Sequence, residues 1–301
     1  MAGRGVAWRG VVVCAALAAP TAVLAQEKDT RTAAALQDNS FLIEEAYNQE
    51  PGTVQHILSF RRHGREWDMV FTQEWGFFSQ AHQFSYSIPY SRVVPETGFR
   101  AAPSRPTTGF SDVNINYRYQ LLNETGVLPA IAPRITVIAP SGDDRRGLGN
   151  GSTGTQVNIP ISKIIGDRYT VHGNFGHTRL FDVDGQETKS YHAGGSFIYA
   201  YSRNLNFMFE FLREWNQEVD AGALVRANSF TFSPGVRYAL DVKVEGFGVG
   251  QLVLGVGAPM VFTNGEKNSY GAIFYASFEH AFRRKNQRLD FEARPNNDQR
   301  R

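Results

Sequence analysis

Between Glu66 and Phe77 apolar and polar residues alternate. The odd positions are Trp67, Met69, Phe71, Gln73, Trp75 and Phe77, five of six apolar, whereas the even positions Glu66, Asp68, Val70, Thr72, Glu74 and Gly76 include one. Between Phe110 and Leu121 the odd set is again five of six apolar, and Asp112, Asn114, Asn116, Arg118 and Gln120 share the other face. A period of two separates these sets onto opposite faces of a strand, which helical spacing cannot do. Extended along the chain, the pattern predicts strands near 53–61, 66–78, 81–90, 110–122, 130–139, 153–162, 168–177, 190–201, 204–215, 228–239, 246–258 and 270–282. Gly246–Ala258 is apolar or Gly on both faces, so its inward side is not assigned from the pattern.

Many of these runs reach 10–13 residues. Strands of soluble proteins cluster near five or six residues, and membrane strands need about 9–11. The connections also alternate, with short links at 79–80, 123–129, 163–167, 202–203 and 240–245. Longer polar ones follow at 91–109, 140–152, 178–189, 216–227 and 259–269, with only 62–65 out of step. A soluble β-sandwich alternates too, but it does not carry Asn, Thr, Ser and charges mid-strand on one face of such long strands. The expectation is an all-β fold, a transmembrane antiparallel β-barrel of about 12 strands over residues 53–282, with a wet lumen.

Parity places Asp68, Glu74, Asp112, Arg118, Arg134, Glu210, Arg237 and Glu279 inside. Mixed charges there can form a polar constriction that selects solutes, or simply fill a narrow barrel. On the apolar faces the polar exceptions are His56, His82, His177, Arg213 and His280, each near a predicted strand end, where a charge facing lipid costs little. Trp67, Trp75, Phe77 and Trp215 also fall near strand ends, as an aromatic girdle does. The last strand places Phe274, Ala276, Phe278, His280 and Phe282 on one parity and ends on an aromatic, the form read by barrel-assembly machinery.

Residues 1–25 have the layout of a secretory signal peptide: Arg4 and Arg9, then the apolar run Val11–Ala19, then Val23-Leu24-Ala25 before Gln26. Cleavage there removes Cys14, the only cysteine, so the mature chain has no disulfide, zinc–thiolate or cysteine nucleophile. It also removes two of the 31 basic residues and none of the 29 acidic ones, leaving a neutral chain with no case for nucleic acid as partner. Residues 26–52 are polar and irregular apart from Phe41-Leu42-Ile43-Glu44-Glu45-Ala46-Tyr47, and 283–301 read as a disordered charged tail. Phe41, Leu42, Ile43 and Tyr47 are too apolar to leave in water. Lying about ten residues before the first strand, they are expected to pack in or against the periplasmic mouth as a plug.

Asp38–Gly52 resembles the entry to the first strand in the outer-membrane proteins of the meta-pathway phenol-degradation family. Ala139-Pro140-Ser141-Gly142-Asp143 with Gly147-Leu148-Gly149-Asn150-Gly151 is similar to that family's central "P-x-G-D … G-x-G" loop, and Gly109-Phe110-Ser111-Asp112-Val113 to its "G-x-D" strand start. The similarity runs over roughly residues 38–282. It implies an outer-membrane barrel of transporter type associated with aromatic catabolism, and brings no catalytic residues with it.

Other chemistry is thin. Asp143-Asp144-Arg145-Arg146 has ordinary loop composition. Gly147–Gly151 lacks the lysine and following helix of a phosphate loop, and Asp182-Val183-Asp184-Gly185 lacks the full oxygen set of a calcium loop. His172 and His192 face inward but want a third metal ligand, and no serine sits in a nucleophile elbow. No catalytic residue, metal or cofactor is expected. The chain is expected to be a passive outer-membrane channel for small, hydrophobic or aromatic solutes, with outer-membrane lipid, lipopolysaccharide and the assembly machinery as partners. The alternatives are an outer-membrane hydrolase on a barrel scaffold and a structural barrel without transport.

Overall fold

A computed structural model describes residues 31–94, 105–220, 222–244, 248–263 and 268–281. The expected signal peptide, Phe282 and the expected 283–301 tail lie outside them. The twelve strands are β1 (Thr53–His63), β2 (Glu66–Phe77), β3 (Ser79–Val93), β4 (Thr107–Phe110 with Val113–Tyr119), β5 (Ala130–Ile131 with Arg134–Ala139) and β6 (Gly154–Ile165), then β7 (Tyr169–Val183), β8 (Gln186–Ala200), β9 (Leu205–Asp220), β10 (Ala223–Val244), β11 (Gly248–Gly257 with Met260–Thr263) and β12 (Ser269–Ala281). Each pairs antiparallel with its chain neighbour, and β1 closes the ring on β12 from Thr53↔Ala281 to His63↔Gly271.

The interruptions have local causes. Pro133 and Pro259 have no N–H to give a ladder, and they fall in the breaks of β5 and β11. In β4 the pairing with β3 slips by one residue across Ser111-Asp112, a bulge opposite Pro89. Among the described residues the helical content is two three-residue 3-10 turns, and no helix is long and apolar enough to cross a membrane.

The polarity is inverted relative to a soluble protein. Phe84, Ile135, Val157, Phe175, Phe209 and Phe274 are exposed on the outer wall, while Gln83, Thr136, Asn158, Asn174, Glu210 and Ser277 are buried inside. The barrel expected from the alternation is therefore the fold. Gly248–Gly257 also acquires a side: Val253 is buried with Gly255, whereas Leu254 and Val256 face out.

Two expected loops are corrected. Residues 178–189 and 216–227 are mostly strand: β7 runs to Val183 and β8 starts at Gln186, while β9 runs to Asp220 and β10 starts at Ala223. Asp184 (φ 50°) and Gly185 (φ 81°) form the first turn, the doubly positive-φ pair that suits the twist of a tight hairpin. The polarity of these stretches marks water, not irregular backbone. They rise past a level of rings where His177 stacks on Tyr191 at 4.5 Å and the Arg213 guanidinium lies 5.7 Å from the Trp215 ring centre. The expected long connection at 259–269 likewise begins as strand, Met260–Thr263.

Candidate functional site

A segment that leaves regular secondary structure must find partners for every buried N–H and C=O. Residues 36–49 find them on side chains projecting inward from the strands, one strand after another. Arg237 of β10 donates to the carbonyls of Leu36, Asp38 and Asn39 at 3.2, 2.8 and 2.9 Å. Glu210 Oε1 of β9 accepts the N–H groups of Leu42 and Ile43 at 2.7 and 3.2 Å. Asn174 of β7 brackets Glu44, accepting its N–H at 2.8 Å and donating to its carbonyl at 2.7 Å, as a neighbouring strand would. Ser162 of β6 accepts Ala46 N–H, Gln120 accepts Asn48 N–H, and Gln83 of β3 accepts Gln49 N–H. Arg118 of β4 donates to the carbonyls of Glu45 and Tyr47 at 2.9 and 2.7 Å. The segment thus crosses the lumen from β10 to β3.

Its side chains are seated as firmly. Phe41 is buried, its ring 5.5 Å from that of Tyr275. It lies over Gly235, Gly255 and Gly257, where an added Cβ would approach the ring to 2.6, 2.5 and 3.0 Å, so those positions of β10 and β11 hold no larger residue without moving it. Ile43 is buried over Gly194 in the same manner, Leu42 packs against this cluster, and Tyr47 donates to Glu124 Oε2 at 2.5 Å beside the ring of His172. Asp38 accepts from Gln55, Tyr275 and Ser277 at 2.9, 2.7 and 2.6 Å.

Glu44 gives one oxygen to each of two arginines. Oε1 meets Arg118 Nη1 at 3.2 Å, and Oε2 meets Arg134 Nε and Asn158 Nδ2, both at 2.8 Å. Glu44 lies on the crossing segment, not on a spanning strand. Burial works to raise its pKa, but Arg134 and Arg118, with Asn158, outweigh that and hold the carboxyl below its ordinary range. The next residue behaves oppositely: burial, reinforced by the Asp38 charge, pushes Glu45 well above the usual value, and its Oε2 has no hydrogen-bond partner.

Of the eight inward charges expected from parity, Arg118, Arg134, Glu210 and Arg237 meet the segment directly. Glu74 accepts from Gln83, which in turn holds Gln49, and Glu279 lies beside Gln49. The other two are apart. Asp68 pairs with Arg61 at 2.9 Å, and Asp112, at the bulge, accepts from Gly142 N, Asn150 N and Asn150 Nδ2 to fix the 140–152 loop. Gln83, Gln120, Asn158, Ser162 and Asn174 carry no charge and so do not stand out among the lumen charges, although their alternation inside apolar strands is visible in the sequence. Ser162 and His172 are 2.7 Å apart, but Ser162 is fully buried and already accepts Ala46 N–H, so it serves the segment's backbone.

A closed ring of twelve antiparallel strands, polar within and apolar without, is the fold of bacterial outer-membrane channels and porins. No family model and no curated protein matches the chain. Among solved structures it is similar to the COG4313 outer membrane channel from Pseudomonas putida F1, with a TM-score of 0.57 and 14% identity over 81% of this chain and 99% of that one. The KdgM porin aligns over 76% and 99% at 8% identity with a TM-score of 0.44, which adds nothing to the comparison. Likeness at 14% identity shows the fold.

Proposed function

We propose that the protein is a passive outer-membrane channel for small molecules, and that residues 36–49 constrict its lumen. The observation that carries this is the bonding of the 36–49 backbone by side chains from β3 round to β10. Twelve strands make a barrel narrower than the 16–18-stranded porins that leave an aqueous channel, so one crossing segment is enough to limit passage. The hydrophobic or aromatic character of the solute rests on the resemblance to the meta-pathway phenol-degradation family. On the same reading the first 25 residues direct export, the assembly machinery inserts the barrel, and lipopolysaccharide borders its outer half.

Deleting residues 27–50 while keeping the leader and its cleavage site tests the proposal in planar bilayers and in proteoliposome swelling. Single-channel conductance and solute flux should rise several-fold. A deletion variant that assembles normally, judged by heat-modifiable migration, yet conducts like the parent would refute the constriction.

A further inference from the structure

Arg118 and Arg134 are direct cross-strand partners, one on β4 and one on β5, and both side chains point into the lumen. Like charges directly opposite one another on a sheet repel, so such a pair calls for an anion between them. The anion present is the Glu44 carboxylate, and it belongs to the crossing segment, whereas everything that holds it belongs to the wall. Arg134 is fixed from behind, Nη1 donating to Asn116 Oδ1 and Thr136 Oγ1 at 2.8 and 2.6 Å and Nη2 to Gln156 Oε1 at 3.0 Å. That leaves Nε for the carboxylate. Arg118 is anchored through Gln83 Oε1 at 3.0 Å as well as through the segment. A planar two-oxygen head is received with one oxygen per guanidinium and a third donor from Asn158, the charge-assisted geometry that recognises carboxylates. The second wall-bound carboxylate, Asp38, is 1% exposed, but Glu44 and Arg134 retain 18% and 19% of their side-chain exposure, so this position is the one a solute in the lumen can reach.

We propose that Arg118, Arg134 and Asn158 form a binding site for small carboxylate solutes, and that Glu44 occupies it in cis until a solute carboxylate takes its place. The inference rests on the segment being the constriction, and it adds both the chemical class of the solute and the contact it must break. The expulsion of Glu44 loosens residues 44–49 from β4 and β5 without disturbing Phe41.

The test uses benzoate as probe, titrated calorimetrically into the full-length protein in detergent at fixed ionic strength, with benzamide as the neutral isostere and sulfate as a tetrahedral anion. Glu44→Ala, which removes the internal competitor, should bind benzoate at least tenfold more tightly than the parent. Adding Arg134→Gln should abolish the gain, and benzamide should show none. Equal benzoate affinity in parent, single and double variants overturns the site, as does equal gain for benzamide or a larger one for sulfate. If Glu44→Ala does not assemble, Glu44→Gln keeps the shape without the charge and carries the same comparison with the same outcomes. The two proposals fail separately. Benzoate binding with unchanged conductance on deleting 27–50 keeps the site and removes the constriction, whereas raised conductance without benzoate binding does the reverse.

Discussion

Both halves of the crossing segment are hydrogen-bonded to the wall, and they differ in what is added to those bonds. Residues 36–43 are bonded by Arg237, by Glu210 and, through Asp38, by Gln55, Tyr275 and Ser277. To these bonds they add burial on the β8–β12 side: Phe41 over three glycines and against Tyr275, Ile43 over Gly194. Residues 44–49 are seated on the β3–β7 side by hydrogen bonds and by the Glu44 ion pairs. Packing of an aromatic ring is insensitive to salt and pH, while an ion pair that the lumen reaches in part, with Glu44 at 18% and Arg134 at 19% exposure, responds to both. The first half therefore acts as an anchor and the second as a latch. On the proposed reading, a constriction held in this way releases one side while the other stays seated.

The largest effect should come from the anchor. Phe41→Ala removes a buried ring and leaves a cavity, a loss of about 3–5 kcal/mol for such changes. Gly255→Leu reaches the same end from the wall, since even a Cβ there would lie 2.5 Å from the ring. Both variants should increase single-channel conductance and expose residues 36–49 to added protease while the barrel still migrates as folded. If either leaves the segment protected, the anchor is not where the hold resides.

Neutralising the latch should matter less for occupancy and more for charge. Arg118→Gln with Arg134→Gln leaves the carbonyls of Glu45 and Tyr47 without their donor, at about 1–3 kcal/mol for each buried group left unpaired. It also removes two positive charges from the lumen, so reversal potentials in a salt gradient should move toward cation selectivity. An unchanged reversal potential would assign the arginines to structure alone.

The comparison also explains what the sequence disclosed. Strict alternation in 66–77 and 110–121 was enough for strands, faces and a barrel, because a wall with lipid on one side and water on the other writes its period into every strand. The glycines of β11 hid their side for the same reason: Gly255 and Gly257 are small because Phe41 lies on them, and that partner is some two hundred positions earlier in the chain. Polar stretches such as 178–189 read as loops because polarity alone does not separate a strand that rises into water from irregular backbone, although Asp184-Gly185 is itself a hairpin signal. The charged lumen residues were legible singly. That Arg118, Arg237 and Glu210 serve a peptide backbone was not, since nothing local in a strand says whether its inward side chain meets water or another part of the chain.

The smallest effect, and the finest division between anchor and latch, is the dependence on pH. Glu44 titrates below the ordinary glutamate value near 4.3, so its contacts are intact at neutral pH and are lost as the pH falls through that lowered value. Glu45, facing Asp38, Glu74, Arg118 and Arg237, titrates above the ordinary value. Its seating is therefore most favourable in acid and weakens as the pH rises from about 4.3 toward its raised value. The opposing slopes predict that residues 44–49 are held best at mildly acidic pH, with protease susceptibility rising on both sides. Glu45→Gln should flatten the limb toward neutral pH and Glu44→Gln the acid limb, with Phe41 contacts unaffected in each. A susceptibility profile that stays level in the parent, or that changes equally in both variants, would show that the latch does not titrate through these two residues and that charge at Glu44 contributes little to its closure.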